Sequence, residues 1–184
     1  MKTELATFGG GCFWCLDAQY RLVKGVEKVT SGYSGGHLNN PTYDQVCSET
    51  TGHAEVVQIE YNPDVISYRL LLEMFWSLHD PTQLNRQGND VGESYRSVIF
   101  YHTDVQKGLA IKTRDQIAKK LWQGEIVTQI EPFEKFWPAE DYHQDYFHKN
   151  PQAGYCQVVI SPKLMSFRQK FASRLIDKAK SETS

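Results

Sequence analysis

The chain has 184 residues, of which 40% are hydrophobic and 12% aromatic, and its formal net charge at pH 7 is −2. This length fits one globular domain, which we expect to span residues 1–184. The near-neutral charge predicts no broad surface for nucleic acid or anionic membranes, and no apolar run approaches the roughly 18 residues of a membrane span.

The cysteines are interpreted from the compartment that the first residues suggest. In MKTELATFGGG, Glu4 and the glycines interrupt the apolar segment that a secretory signal needs, so we expect a cytoplasmic protein. In that reducing compartment Cys12, Cys15, Cys47 and Cys156 should be thiols. Any disulfide would then be transient and catalytic.

The first half of the chain predicts alternating strands and helices. A strand over about residues 4–8 leads into three glycines, and a helix follows over about residues 12–22. Further strands are expected from about residue 26 and over residues 53–61, before a helix capped by Ser67 and a strand at 95–102. This βαββαβ order predicts a ferredoxin-like core.

The second half predicts a C-terminal extension of that core. Thr103 and Gln106 suggest a capping box for a helix that ends near Leu121, and a strand is expected near residues 126–130. An aromatic stretch, FEKFWPAEDYHQDYF, precedes a terminal helix from about Pro162. The apolar stripe expected on that helix consists of Leu164, Phe167, Phe171 and Leu175.

The segment FGGGCFWC, residues 8–15, is the first candidate for chemistry. A helix that begins near Cys12 would place this thiol among unpaired N–H groups at the positive end of the helix dipole. Such positions and Cys-x-x-Cys spacing lower thiol pKa values, which favours a reactive thiolate. The alternative, two small apolar side chains in a helix start, stays open from this segment alone.

Two ligand-binding interpretations of the same segment are weak. It lacks the Gly-Lys-Ser/Thr ending of a phosphate loop, and Trp14 stands where the last glycine of a dinucleotide fingerprint belongs. A structural zinc site needs four ligands, and Cys12 with Cys15 has no second pair at comparable spacing. We therefore expect no metal.

Strand parity singles out Glu55. In HAEVVQIEY, Glu55 shares a face with Val57, Ile59 and Tyr61. A carboxyl group on an inward face loses hydration, so its pKa rises and it becomes a plausible proton donor near neutral pH. The alternative is that Glu55 reaches water at the frayed start of the strand.

Two loops contribute hydroxyl groups that can donate to a developing charge on oxygen. Tyr43 lies in PTYDQVC, and Tyr95 opens a strand after a glycine-punctuated loop that contains Asp90. Each of these tyrosines alone is better explained as a packing residue or a loop anchor. Only convergence on Cys12 would make them functional.

Seven segments carry a more specific pattern: GCFWC, SGYSGG, NPTYDQVC, TGHAEVVQIEY, HDPTQLNRQGNDVGESYRSVIFY, FWPAEDYHQDYF and NPQAGYCQVVISPK. Together they resemble the peptide methionine sulfoxide reductase A family over about residues 7–171. The resemblance implies an α/β (α+β) two-layer sandwich with a mixed sheet, in agreement with the βαββαβ order. It also implies reduction of the S epimer of free or protein-bound methionine sulfoxide, in the repair of oxidised proteins.

The resemblance assigns roles to individual residues. It makes Cys12 the nucleophile, Glu55 the acid, and Phe13 and Trp14 the pocket for the substrate methyl group. The sulfoxide oxygen would be bound by Tyr43 and Tyr95, with support from Asp90. The product on Cys12 would be a sulfenic acid.

The resemblance also implies an external thiol reductant, thioredoxin or glutaredoxin, and no bound cofactor. Cys156 lies where some relatives carry their first recycling cysteine and is the leading candidate to resolve the sulfenic acid. Cys15 is its competitor, since residues i and i+3 share a helix face; Cys47 comes third, and direct reduction by an external thiol stays open. We expect a monomer.

Rival interpretations remain at this point. A thioredoxin-like dithiol oxidoreductase would use Cys12 and Cys15 but leaves Glu55 and the tyrosines unexplained. A zinc or redox-sensing module is the third interpretation. Among the scattered histidines, His143, together with Asp145, is a candidate to support the floor of the active site.

Overall fold

The computed structural model describes residues 2–178 of the chain. Its strands are β1 (Glu4–Gly9), β2 (Val26–Ser34), β3 (Ala54–Tyr61), β4 (Arg86–Gln87), β5 (Asp90–Val91), β6 (Val98–Tyr101), β7 (Gln129–Pro132) and β8 (Phe136–Pro138). Its α-helices are α1 (Phe13–Tyr20), α2 (Tyr43–Cys47), α3 (Tyr68–Leu78), α4 (Asp104–Thr113), α5 (Lys119–Leu121), α6 (Tyr146–Lys149) and α7 (Ser161–Lys170).

The sheet confirms the predicted ferredoxin-like core. Strand β1 pairs with β3 and β6, and β3 pairs with β2, all antiparallel, which gives the order β6-β1-β3-β2. The C-terminal half adds a strand to each edge: β7 runs parallel to β6, and β8 runs antiparallel to β2. The result is a mixed six-stranded sheet with helices packed on it, the predicted α/β class.

Strand β3 lies inside the sheet and shows the expected parity. Val57, Ile59 and Tyr61 belong to the main hydrophobic core with the side chains of α1 and α3. Ala54 and Val56 belong to a smaller cluster on the other face. Glu55 therefore points toward the main core, and only 1% of its surface is exposed.

The predicted N-caps of α3 and α4 are confirmed, with one difference at Thr103. Ser67 Oγ accepts from the Leu70 N–H at 3.1 Å, and Thr103 Oγ1 accepts from the Gln106 N–H at 3.2 Å. The capping box at Thr103 is wrong in its second half, because Gln106 Oε1 accepts from the His102 N–H at 2.9 Å. After α4 the helix continues through a π-helical turn into α5, and this helical segment ends at Leu121, as predicted.

The terminal helix differs from its prediction at both ends. It begins earlier, because a π-helical turn over Cys156–Ile160 runs directly into α7, and it ends at Lys170. Leu164 and Phe167 are buried on it as expected, but Leu175 lies beyond the helix in a bridge to Val23. Leu175 is held there by backbone hydrogen bonds between its neighbours and the segment after α1, and not by a last turn of the helix.

Several short elements were not predicted: α2, the β4–β5 hairpin and β8. Helix α2 did carry a signal, since Thr42 Oγ1 accepts from the Gln45 N–H (3.2 Å) while Gln45 Oε1 accepts from the Thr42 N–H (2.9 Å). This is a complete capping box within a segment assigned to a loop. Between residues 2 and 178, none of the helices has the length and apolar character required to cross a membrane.

Candidate active site

The thiol of Cys12 lies between the end of β1 and the start of α1, as the glycines predicted. Cys12 is the N-cap of α1 in an extended conformation, with φ −63° and ψ 128°. Gly11 has φ +86°, and a Cβ atom there would lie 2.8 Å from the Cβ of Gln87. Only glycine allows the chain to turn this close to the β4–β5 hairpin and to present Cys12 at the helix start.

The predicted low pKa of Cys12 is wrong for this state of the protein. Burial raises the pKa of the thiol well above its usual range, and the charge of Glu55 raises it further. The Trp14 N–H, in the first turn of α1, acts in the opposite direction. The helix start does oppose the shift, but desolvation of the thiol outweighs it, and ionisation of Glu55 adds to the rise in the Cys12 pKa.

Glu55 meets the same helix start from β3. Its Oε1 accepts a hydrogen bond from the Phe13 N–H at 3.1 Å, so the carboxyl group lies against the residue that follows Cys12. Burial raises the pKa of Glu55 to about 8, although the Phe13 N–H lowers it. Glu55 is therefore a proton-bearing carboxylic acid at neutral pH, as its position on the strand predicted.

The two predicted tyrosines converge on this carboxyl group. Tyr43 is the first residue of α2, and Tyr95 is the last residue of a short 3₁₀ helix. The backbone carbonyl of Tyr95 accepts a hydrogen bond from the Gly11 N–H at 3.2 Å. Burial raises the pKa of both phenols, and the nearby charge of Glu55 adds to the shift. Both hydroxyls therefore keep their protons and can donate hydrogen bonds to an oxygen atom.

Asp90 is held by a residue that the sequence analysis missed. The Tyr155 hydroxyl donates to Asp90 Oδ2 at 2.6 Å, across 65 positions of the chain. Burial raises the pKa of Tyr155, and the charges of Cys12 and Cys15 act in the same direction. Tyr155 therefore binds Asp90 and interacts with both thiols, and only its place beside Cys156 marked it in the sequence.

Aromatic rings form the wall next to Cys12. Trp14 stacks on Tyr146 with ring centroids 3.7 Å apart and planes 5° apart. Phe13 is fully buried, and its ring lies 5.1 Å from that of His143. Trp14 is thus a half-buried side chain that a ligand can reach, whereas Phe13 contributes from beneath.

His143 lies in this aromatic wall, but Asp145 does not share its role. Trp14 Nε1 donates to His143 Nδ1 at 3.1 Å, which fixes the orientation of both rings. Asp145 instead contacts His148 Nδ1 at 2.7 Å and Arg21 Nε at 3.5 Å. The prediction that Asp145 supports the floor of the site is therefore wrong, because its carboxylate contacts Arg21 and His148, which lie outside the ring cluster.

The four cysteines are all thiols in the structure. Cys15 is buried in the first turn of α1, and its N–H donates to the Cys12 carbonyl at 3.1 Å. Cys156 is fully buried at the start of the π-helical turn. Cys47 is exposed at the end of α2, where it shares a side-chain hydrogen bond with Tyr43. The thiol ranked third thus lies close to the site.

A metal centre finds no support in the described part of the chain. Over residues 2–178, no group of three or more histidine, cysteine, aspartate or glutamate side chains is arranged to hold a metal ion. The chemistry of the site is that of a thiol, a carboxylic acid and phenols. These groups suit the reduction of a polarised S=O bond.

Comparisons with known proteins cover almost the whole chain. The family model described as peptide methionine sulfoxide reductase matches residues 4–175. A curated relative, peptide methionine sulfoxide reductase MsrA of Saccharolobus solfataricus, is 52% identical over 172 residues, covering 94% of this chain and 97% of the relative.

Solved structures agree with the sequence comparison. Mxr1 from Saccharomyces cerevisiae in reduced form aligns with a TM-score of 0.80 at 39% identity, covering 84% of this chain and 90% of Mxr1. Mxr1 in complex with Trx2 aligns with a TM-score of 0.57 at 31% identity, covering 79% and 85% of the two chains. The chain therefore belongs to the peptide methionine sulfoxide reductase A family.

Proposed function

We propose that this chain reduces methionine-S-sulfoxide, free or in proteins, to methionine, with Cys12 as nucleophile and Glu55 as proton donor. The hydrogen bond between the Phe13 N–H and Glu55 Oε1 is the main support, because it holds a buried carboxylic acid beside the N-cap thiol. Family membership supports the reaction class.

A sulfoxide sulfur becomes a good electrophile only when its oxygen is protonated or strongly hydrogen-bonded. In the proposed complex Glu55 donates to that oxygen, and the hydroxyls of Tyr43 and Tyr95 bind it from the neighbouring loops. The methyl group of the substrate contacts Trp14, and the buried Phe13 supports this part of the pocket from beneath. Sulfur–aromatic contacts of this kind contribute about 0.3–1.5 kcal/mol.

The transfer step balances without a bound cofactor. The Cys12 sulfur attacks the substrate sulfur, and the oxygen leaves as water with one proton from Glu55 and one from the Cys12 thiol, so that the S–O bond breaks and the two sulfur atoms are joined. A water molecule then attacks the Cys12 sulfur and returns a proton to Glu55. The S–S bond breaks, methionine leaves with its electron pair, and Cys12 is left as a sulfenic acid. The substrate sulfur gains the two electrons that the cysteine sulfur gives up.

Glu55 also affects the charge on Cys12. While Glu55 holds its proton it carries no charge, so one of the two main causes of the raised Cys12 pKa is absent. The N–H groups at the start of α1 then stabilise the developing thiolate. The pair therefore reacts with one proton on the carboxyl group and the negative charge forming on sulfur.

The stereochemistry of the substrate tests the proposal. In the proposed complex, Glu55 and the tyrosines donate to the sulfoxide oxygen, whereas the aromatic wall around Trp14 contacts the substrate methyl group. A fixed arrangement of this kind accepts one sulfoxide epimer. We expect turnover of the S epimer and at least about 100-fold slower turnover of the R epimer, measured separately with dithiothreitol as reductant. Equal rates on both epimers would contradict the site.

A thioredoxin-like activity is the alternative considered from the sequence. It would rely on the Cys12–Cys15 pair alone and would not need Glu55. Reduction of insulin disulfides without reduction of methionine sulfoxide would support that alternative. The family to which the chain belongs argues for sulfoxide reduction.

Return of Cys12 to its thiol needs a second thiol, and we propose Cys156. Condensation of the sulfenic acid with a thiol gives a disulfide and water, and a dithiol reductant then restores both thiols. The neighbour of Cys156, Tyr155, already reaches the site through Asp90, but Cys156 itself is fully buried, so its π-helical turn has to open first. Cys15 is buried as well, but it lies only three residues after Cys12, at the start of α1.

The resolving thiol is identified by one turnover without reductant. We expect one methionine per chain and a Cys12–Cys156 disulfide in the peptide map, with an intact mass two hydrogens below the reduced chain. A Cys12–Cys15 disulfide would replace Cys156 by its competitor. An unreacted Cys156 together with a persistent sulfenic acid would instead indicate an external thiol.

The physiological setting is also a proposal. The structure of Mxr1 in complex with Trx2 supports a thioredoxin-type reductant for this chain as well. Four cysteines in thiol form fit a reducing compartment, so we propose a cytoplasmic location. We also propose that the protein is a monomer and works without a bound cofactor.

A further inference from the structure

Glu49 has an unusual backbone for its residue type. Its φ is +63°, in the left-handed region, and it follows the C-cap Ser48 of α2. Glycine is the usual residue at this position after a helix, because a side chain there is strained. Something in the structure must therefore hold a glutamate in this conformation.

The carboxylate of Glu49 makes two hydrogen bonds to a single residue of another loop. Ser94 donates its N–H to Glu49 Oε2 at 2.9 Å and its hydroxyl to Glu49 Oε1 at 2.6 Å. The two residues are 45 positions apart, and Ser94 is 1% exposed. Gly92 has φ +142°, and a side chain there would collide with the Glu49 carboxylate. The contact is thus built from both loops.

This contact joins the loops that carry the two tyrosines of the site. Glu49 comes directly after the C-cap of the helix that begins at Tyr43, and Ser94 directly precedes Tyr95. Of the side chains of α2, Val46 is the one that is buried, so this short helix depends on contacts at its ends. At the other end, the Tyr43 N–H donates to Glu140 Oε2 at 3.0 Å.

We propose that Glu49 is a positioning residue that fastens the Tyr43 loop to the Tyr95 loop and thereby sets the spacing of the two phenols around the sulfoxide oxygen. The inference rests on the proposed function, because the phenols matter as donors to that oxygen. Glu49 acts through Tyr43 and Tyr95 and does not itself touch the substrate.

Glu49 also bears on the titration of Glu55. Its charge is one of the causes that raise the pKa of Glu55, after burial and the charge of Asp90. The other ionisable groups that interact with Glu55 come from α1, β2, α2 and the loop before β6, and they are Cys12, Cys15, Tyr33, Tyr43, Cys47 and Tyr95. Removal of the Glu49 charge therefore favours ionisation of Glu55 at a lower pH.

The first test compares Glu49→Gly with Glu49→Gln. Glycine keeps the left-handed backbone without strain but removes both hydrogen bonds, so we expect kcat to fall about 10-fold while KM changes little, since displaced catalytic groups act on the transition state. Glutamine keeps an acceptor for Ser94, and kcat should recover to within about threefold of the original chain. A Glu49→Gly variant with unchanged kcat, or a Glu49→Gln variant as slow as Glu49→Gly, would overturn the proposal.

The pH profile supplies a readout that a structural role alone would not change. Activity should fall on the alkaline side as Glu55 loses its proton, and this limb should move to lower pH in Glu49→Gln. Glu125→Gln, a charge removal on an exposed loop after α5, is the matched control and should leave the limb in place. A limb that stays unmoved in Glu49→Gln would count against the proposal.

Amide hydrogen exchange tests the contact apart from activity. In Glu49→Gly the Ser94 amide and the amides of α2 should exchange faster than in the original chain, and Ser94→Ala should give a smaller increase over α2. Unchanged exchange would overturn the contact even in an active enzyme. An original chain that exchanges as expected but fails to reduce the S sulfoxide would instead refute the proposed function.

Discussion

Replacement of Glu55 by glutamine should slow reduction of methionine-S-sulfoxide by about 10²–10⁴-fold, the range usual for loss of a general acid. The glutamine side chain can still accept the Phe13 N–H through its amide oxygen, so the geometry at the start of α1 is kept while the transferable proton is lost. The measurement is single-turnover release of methionine at pH 7. Glu60→Gln, on the opposite face of β3, is the matched control and should keep the original rate.

The same variant should be more stable than the original chain at neutral pH. The folded-state pKa of Glu55, about 8, lies above the ordinary value of 4.5, so between these pH values folding requires uptake of a proton. Stability from this group is fully present below about pH 4.5 and is lost as pH rises toward 8, which amounts to about 3 kcal/mol by pH 7. Glutamine carries no such cost.

Urea unfolding at several pH values tests this part of the prediction. The stability of Glu55→Gln should match that of the original chain near pH 4 and exceed it by about 3 kcal/mol at pH 7. Glu60→Gln should show no such growing difference. A constant difference between the two proteins at every pH would mean that Glu55 is not a buried acid in the folded state.

Replacement of Cys12 by serine should abolish the reaction. A serine hydroxyl is a far weaker nucleophile than a thiolate and cannot accept oxygen to form a sulfenic acid. Without reductant, Cys12→Ser should release no methionine and show no dimedone adduct. Cys156→Ser should still release one methionine per chain but form no Cys12–Cys156 disulfide. Methionine release by Cys12→Ser would remove Cys12 from the centre of the mechanism.

The sequence was most informative where the orientation of a side chain or the start of a helix depends on a few neighbouring residues. The alternation along β3 predicted that Glu55 points inward, because strand periodicity depends on neighbouring residues alone. The glycines before Cys12 predicted a helix start for the same reason. Ser67 likewise marked the start of α3. Each of these features is decided within a few residues.

Features that depend on distant parts of the chain were not predictable in this way. The contact of Tyr155 with Asp90 spans 65 positions, and that of Glu49 with Ser94 spans 45. The raised pKa of Cys12 also escaped prediction, because it reflects how deeply the folded chain buries the thiol and which charges surround it. Strand β8 forms because it pairs with the edge of β2. This pairing could not be predicted from the three residues of β8 alone.

The surroundings of Cys12 come largely from residues that follow it at a long distance in the sequence. Tyr146 stacks on Trp14, Tyr155 binds Asp90, and Leu175 pairs with Val23 just after α1. Since a protein is made from its N-terminus, Cys12 is synthesised well before these three partners and gains its full surroundings only once they have followed it. A chain interrupted between α1 and Tyr146 would therefore carry Cys12 without these aromatic and phenolic neighbours of the site.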